Sequence, residues 1–213
     1  MKHSCIICVS ERETYTRGAK LALCDINEAA LNETIELVSP TPVFSATLNI
    51  VNADEVEQFI LNTIMHFGQM NAMINNAGVA MGEQRMQDMP LDQFKQLMDI
   101  NFWGSVYGCH FALPHLIKQP DSALVNISSS FGLVGGKYTA AYTASKFAIN
   151  GLTQSLISEN YDNAISIHTV YPGGIKTNIT KNAVNSELRS ADFEKKLKTT
   201  IISFFVRQSS RIN

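Results

Sequence analysis

The chain has 213 residues, 45% hydrophobic and 17% charged, enough to build one sizeable core within a single domain spanning residues 1 to 213. Seventeen basic residues against 19 acidic ones leave a net charge of −2, so there is no basic footprint for nucleic acid or for an anionic membrane surface. The longest apolar runs, CIICV and IISFFV, fall far short of the ~20 residues of a membrane span, and the expectation is a cytoplasmic protein that handles small molecules.

CIICV predicts a short first strand over residues 4 to 9. Lys2 and His3 before it imitate the start of a signal peptide, but the apolar stretch is too short and no cleavage pattern follows. Cys5 and Cys8 form a C-x-x-C without a second pair, and in a strand their thiols would point to opposite faces. Cys24 and Cys109 add no framework spacing, and the five histidines show no ligand spacing, so free thiols and no metal are expected. A polar stretch, SERETYTRG, follows, and its Gly18 is the only glycine before Gly68.

AKLALC predicts a second strand ending at Asp25, whose carboxylate is suited to cap the helix expected over residues 27 to 38. TPVFSATLNI predicts the third strand. Residues 53 to 68 carry Val56, Phe59, Ile60, Ile64 and Phe67 as an apolar stripe, with Gly68 as the stop. MNAMINNAG is a fourth strand running into a turn. A loop then leads to a long helix over residues 91 to 118, which contains Asn101, Phe102 and Trp103.

SALVNISS, residues 122 to 129, has the β-branched, apolar character of a buried strand. A glycine-bearing loop and a helix over residues 140 to 158 follow. On that helix Tyr142 and Lys146 are four apart and share one face. A free phenol titrates near ~10, and a neighbouring ammonium favours the phenolate, so the pair can exchange a proton near neutral pH. Ser129, at the end of the preceding strand, can reach the same substrate oxygen. AISIHTVYPGG predicts a sixth strand, and the alternation of strands and helices implies a doubly wound parallel sheet with ligands at the strands' carboxyl ends.

A Ser followed by Tyr-x-x-x-Lys, here Ser129 and YTASK, together with NNAG (residues 75 to 78), Asn101 and the PG-x-x-x-T of YPGGIKT, resembles the short-chain dehydrogenase/reductase family over residues 18 to 183. The resemblance implies a Rossmann-like α/β fold and reversible hydride transfer between NAD(H) and an alcohol or ketone. It implies that Tyr142 is the general acid/base, that Lys146 lowers its pKa and holds the nicotinamide ribose, that Ser129 binds the substrate oxygen, and that Asn101 supports a relay water. By the same resemblance, Asp25 holds the adenosine ribose and favours NAD over NADP, while Asn49 and Ile50 stand where an Asp-Val pair contacts adenine. Asn76, Ala77 and Gly78 pass close to the nucleotide, Pro172, Gly173 and Ile175 line the nicotinamide pocket, and Thr177 holds the carboxamide. A homodimer or homotetramer is implied through the helices at residues 91 to 118 and 140 to 158, whose Phe102, Trp103, Phe111, Phe147 and Leu152 would form the hydrophobic surface.

Two departures stand beside these matches. The family's glycine-rich phosphate turn has no counterpart between the first two strands, which implies an incomplete first βα unit. After a polar stretch over residues 178 to 198, where relatives carry a substrate lid, the chain stops short of a further helix and last strand. A catalytically silent homologue with a binding or oligomeric role is the alternative expectation.

Overall fold

In the computed structural model residues 19 to 173 are described, together with the backbone of Ser4–Ile7. Strand β1, Ser4–Ile7, leads by way of residues 8 to 20 to β2, Leu21–Asp25, and then come α1 (Glu28–Leu37), β3 (Val43–Thr47), α2 (Ala53–Phe67) and β4 (Ala72–Asn75). Helix α3 (Leu91–Met98) widens into a π-helical turn at Asp99–Trp103 and resumes as α4 (Gly104–Leu116). Strand β5 (Ala123–Ile127), helix α5 (Ala140–Glu159) and strand β6 (Ser166–Val170) complete the order.

The strands form two three-stranded ladders, β1-β2-β3 and β4-β5-β6, with β1 lying close to β4 in space. The β2–β3, β4–β5 and β5–β6 pairs are parallel. A doubly wound α/β arrangement is thus present, with one correction: β1 runs antiparallel to β2, Ser4 facing Asp25 and Ile7 facing Ala22. The link, residues 8 to 20, is thirteen positions long, at the lower limit for a parallel crossover that normally holds a helix, whereas an antiparallel pair sets no such minimum. The expectations for residues 8 to 18, including the absent glycine turn, and for residues 174 to 213, including the missing last strand, fall outside the described residues.

Local chemistry explains the helix boundaries. The Asn27 side chain accepts from Ala30 N at 3.0 Å, so Asn27, rather than Asp25, caps α1. Asn52 caps α2 by accepting from Asp54 N at 3.1 Å, and Gly68 ends it with φ of 81°, donating to Ile64 O at 2.7 Å. Val56, Phe59 and Ile60 on α2 are buried, as the stripe required, and β2 is buried at every residue, which accounts for its unbroken apolar run. The main core joins these side chains to Met73, Leu97, Leu116 and Leu124.

Glycines set two close approaches. A Cβ on Gly104 would come within 2.5 Å of Ile50 Cδ1, so Ile50 is seated against the π-helical turn. A Cβ on Gly108 would meet Asn75 Oδ1 and come within 2.6 Å of Met73 Cε. Glycine there lets α4 lie directly on β4.

Candidate active site

β5 and β6 are tied at their carboxyl ends by Ser128 N donating to Val170 O at 2.8 Å and Ser130 N donating to Pro172 O at 3.1 Å. Past β5 the chain makes a short 3₁₀ turn, Ser130–Gly132, and the Ser129 hydroxyl caps it by accepting from Phe131 N at 3.2 Å. A loop then delivers the chain to α5, where Tyr142 lies in the first turn and Lys146 one turn later. Phe131 packs edge-on against the Tyr142 ring, with centroids 6.1 Å apart.

The Ser129 hydroxyl lies close enough to the Tyr142 phenol to act on its charge. Burial pushes the phenol's pKa above its ordinary value, and the Ser129 hydroxyl opposes that rise. Lys146 is buried with an exposure of 2%, and desolvation lowers its pKa to about 8. Its Nζ donates to Ile127 O at 3.0 Å and lies 5.7 Å from the Tyr142 ring centroid. The ammonium was expected to lower the phenol's pKa, whereas in this geometry burial raises it. The lysine is anchored on a strand carbonyl, and burial dominates the phenol.

Asn101 sits in the π-helical turn and is fully buried. Its Oδ1 accepts from Val79 N at 2.7 Å, while Nδ2 donates to Val79 O at 3.0 Å and to Ser145 Oγ at 3.1 Å. Both amide hydrogens are therefore engaged, and what remains for a water is acceptor capacity. The ideal Cβ position on Gly78 lies 3.2 Å from Asn101 Oδ1 and 3.4 Å from Lys146 Nζ. The bare glycine thus leaves space between the two polar groups.

A second set of residues lies at the other end of the same edge. Asp25 is 2% exposed; its Oδ1 accepts from Asn27 N at 2.7 Å, and its Oδ2 has no hydrogen-bond partner among the described residues. Beyond it a cleft of about 700 Å³ is lined by Asn27, Asn49, Ile50 and Val51 on one side and by Lys95 and Ile100 on the other. Asn49 Oδ1 accepts from Val51 N at 3.3 Å, and Asn49 N donates to Glu55 Oε2 at 2.8 Å. Ser129, Tyr142 and Lys146 do not line this cleft. Ala77 is buried beside Gly78 in the turn that contains Asn76; Pro172 and Gly173 end the described chain, and Ile175 and Thr177 lie outside it.

The structure adds residues that motif reading did not single out. Asn126, fully buried in β5, accepts from Asn75 Nδ2 at 2.8 Å and donates to Thr153 Oγ1 at 2.9 Å, while Cys109 Sγ lies 3.4 Å from its Oδ1. Ser128 Oγ donates to Lys146 O at 2.9 Å, and Ser145 holds Asn101. An asparagine inside an apolar strand was the available signal, since a buried amide must find partners. Burial also holds the Cys109 thiol up at about 11, which keeps it inert.

Comparison with known proteins agrees with this architecture. Residues 10 to 188 match the family described as short chain dehydrogenase. SadH of Mycobacterium tuberculosis, provisionally named an oxidoreductase, is 35% identical over 171 residues, which cover 78% of this chain and 62% of SadH; the chain thus spans under two thirds of that relative's length. An uncharacterized oxidoreductase of Thermotoga maritima is 30% identical, over 87% of this chain and 73% of its own. Among solved structures, a short-chain dehydrogenase/reductase from Burkholderia phymatum in complex with NAD superimposes with a TM-score of 0.77 at 22% identity, over 90% of this chain and 73% of that one. Aldohexose dehydrogenase of Thermoplasma acidophilum, in ligand-free form, gives 0.71 at 24% identity, over 87% and 69%.

Proposed function

The chain belongs to the short-chain dehydrogenase family, and from that premise we propose that it is an oxidoreductase moving a hydride between NAD(H) and an alcohol/carbonyl pair. The observation that carries this reading is the convergence of Ser129 and Tyr142 at the carboxyl end of β5, with Lys146 one helical turn away. Tyr142 exchanges the proton with the substrate oxygen, and Ser129 holds that oxygen in place. A phenol kept protonated by burial is ready as the acid in carbonyl reduction.

Lys146 is the candidate to hold the nicotinamide ribose. Carrying that out requires its Nζ to turn from Ile127 O or to share its three hydrogens. Asn101, beside the gap left by Gly78, offers acceptor capacity to a water that resupplies protons. The nicotinamide would supply or accept the hydride. Asn76, Ala77, Gly78, Pro172, Gly173, Ile175 and Thr177 are the remaining candidates for its contacts.

For the cofactor, the unpartnered Asp25 Oδ2 is the fitting observation: a buried carboxylate oxygen without a donor suits a ribose hydroxyl and repels a 2′-phosphate. That supports NAD over NADP, with the cleft at Asn49 and Ile50 taking the adenine. The NAD in the Burkholderia phymatum structure is in keeping with this choice. Self-association is part of the same reading. Trp103 and Phe147 are exposed on α4's approach and on α5, whereas Phe111 and Leu152 pack on the core and leave the surface smaller than expected.

The competing reading, a silent homologue, is favoured by the single glycine before Gly68. Lost pyrophosphate donors would cost ~1.5–3 kcal/mol each. Titration of NADH by fluorescence separates the two. Micromolar binding, tighter than that of NADPH, supports the enzyme, and no binding up to millimolar nucleotide supports the silent protein.

A further inference from the structure

Two loops meet beside the helix turn that carries Tyr142: residues 79 to 90, after β4, and residues 133 to 139, just before α5. They are stitched together by Gln84 N donating to Tyr138 O at 2.9 Å, and the first is braced by Gln84 Nε2 donating to Asp88 O at 2.6 Å. The second is fastened to α5 through Thr139 Oγ1, which donates to Gly136 O at 3.0 Å and lies 3.1 Å from Thr143 Oγ1.

At the stitch, Tyr138 holds a left-handed backbone conformation, φ 63°, uncommon for an aromatic residue. Its ring carries Lys137 Nζ at 4.6 Å from the centroid and Arg85 Cζ at 5.7 Å. Two cations from different loops are thus gathered over one exposed phenol, four residues before Tyr142. The ring's π face offsets part of the repulsion between them. The Lys137 ammonium also holds the Tyr138 phenol below its usual pKa, as a site rich in positive charge should.

We propose that Arg85 and Lys137 form a subsite for an oxyanion on the substrate, a carboxylate or phosphate attached to the carbonyl compound that Tyr142 serves. The proposal rests on reading Ser129 and Tyr142 as the substrate-facing pair. Arg85 supplies a planar fork of donors and Lys137 a mobile point charge, a combination that grips an anion without fixing the rest of the molecule.

The test is a binding measurement on the full chain, by ligand-detected saturation-transfer NMR. Two matched pairs serve as probes: acetoacetate against methyl acetoacetate, and dihydroxyacetone phosphate against dihydroxyacetone. One anion of the two should bind about three- to tenfold tighter than its neutral partner, and which one does identifies the carboxylate or the phosphate. The preference should vanish in R85Q/K137Q, survive in the charge-keeping R85K/K137R, and weaken in 0.5 M salt. Circular dichroism confirms that each variant is folded. Equal binding within both pairs, or a preference untouched in R85Q/K137Q, overturns the subsite. Since binding is read without turnover, a protein that prefers the anion yet reduces no ketone refutes the hydride-transfer reading and leaves the subsite standing.

Discussion

The two ends of the ligand edge are finished differently. Around β4, β5 and α5, the buried polar side chains Asn75, Asn101, Asn126, Ser128, Ser145, Lys146 and Thr153 are joined by hydrogen bonds to one another or to backbone. One face of β2 holds a small cluster of Leu21, Leu23 and Leu31 while Ala22 and Cys24 join the main core, and Asp25 keeps one buried oxygen without a donor among the described residues. A closed network holds its members in one geometry whether or not anything is bound, as a proton-transferring group requires. An open acceptor is stabilised only when a partner arrives. A closed set of polar groups thus sits at one end of the edge and an open acceptor at the other.

The comparison breaks first if the chemistry is not at the networked end. Tyr142→Phe should lower kcat by about 10²–10⁴-fold while leaving the NADH dissociation constant within about twofold, because the phenol acts in the transition state. Steady-state rates with any accepted ketone, set beside NADH fluorescence, check both halves. Substantial residual turnover would place the proton elsewhere.

The network itself is tested by Asn126→Ala, which removes one partner each from Asn75 Nδ2 and Thr153 Oγ1, leaving them their bonds to Cys109 Sγ and Ile149 O, and opens a small cavity. A loss of about 2–4 kcal/mol is expected, read as a lower urea midpoint at unchanged slope. A loss under about 0.5 kcal/mol would mean that the network does not hold the sheet and helix together.

Lys146 gives a pH signature. Its folded pKa, about 8, lies below the ordinary 10.5, so the unfolded chain binds the proton more strongly between those values. Its burial therefore costs stability at and below neutral pH, and that cost is relieved as pH rises from about 8 towards 10.5. Relative to Lys146→Met, wild-type stability should rise by about 1–2 kcal/mol between pH 7 and 9.5. Parallel pH dependence of the two urea midpoints would show that the lysine is hydrated in solution.

The smallest effect belongs to the open end. Asp25→Ala should reduce any preference for NAD over NADP by about tenfold, one hydrogen bond to a charged group being worth ~1.5 kcal/mol or more. Isothermal titration with both nucleotides measures it, and an unchanged ratio would assign the discrimination to other residues.

The sequence made the local elements legible where local chemistry governs them. The stripe on α2, the stop at Gly68 and the shared face of Tyr142 and Lys146 all follow from side-chain period and backbone freedom. What was hidden depended on distant partners. Asp25 looked like a cap, but Asn27 sits closer to the start of α1 and takes that place. Lys146 beside Tyr142 implied a tuned phenol, yet Ile127 O, nineteen positions away in the chain, claims the ammonium. Asn126 and Val79 became meaningful only once folding had brought them to Asn75 and Asn101. The direction of β1 escaped because its apolar pattern is the same read either way.

That direction also governs traffic at the rim. The chain comes into β1 at Ser4, level with Asp25, and departs at Ile7, level with Ala22. The link that follows β1 consequently sets out from the rim remote from Asp25, whereas in a parallel first unit it would set out from the ligand's own doorstep. A grip on a dinucleotide's phosphates beside Asp25 would be sought in the backbone after β4, and engineering of cofactor affinity would begin there.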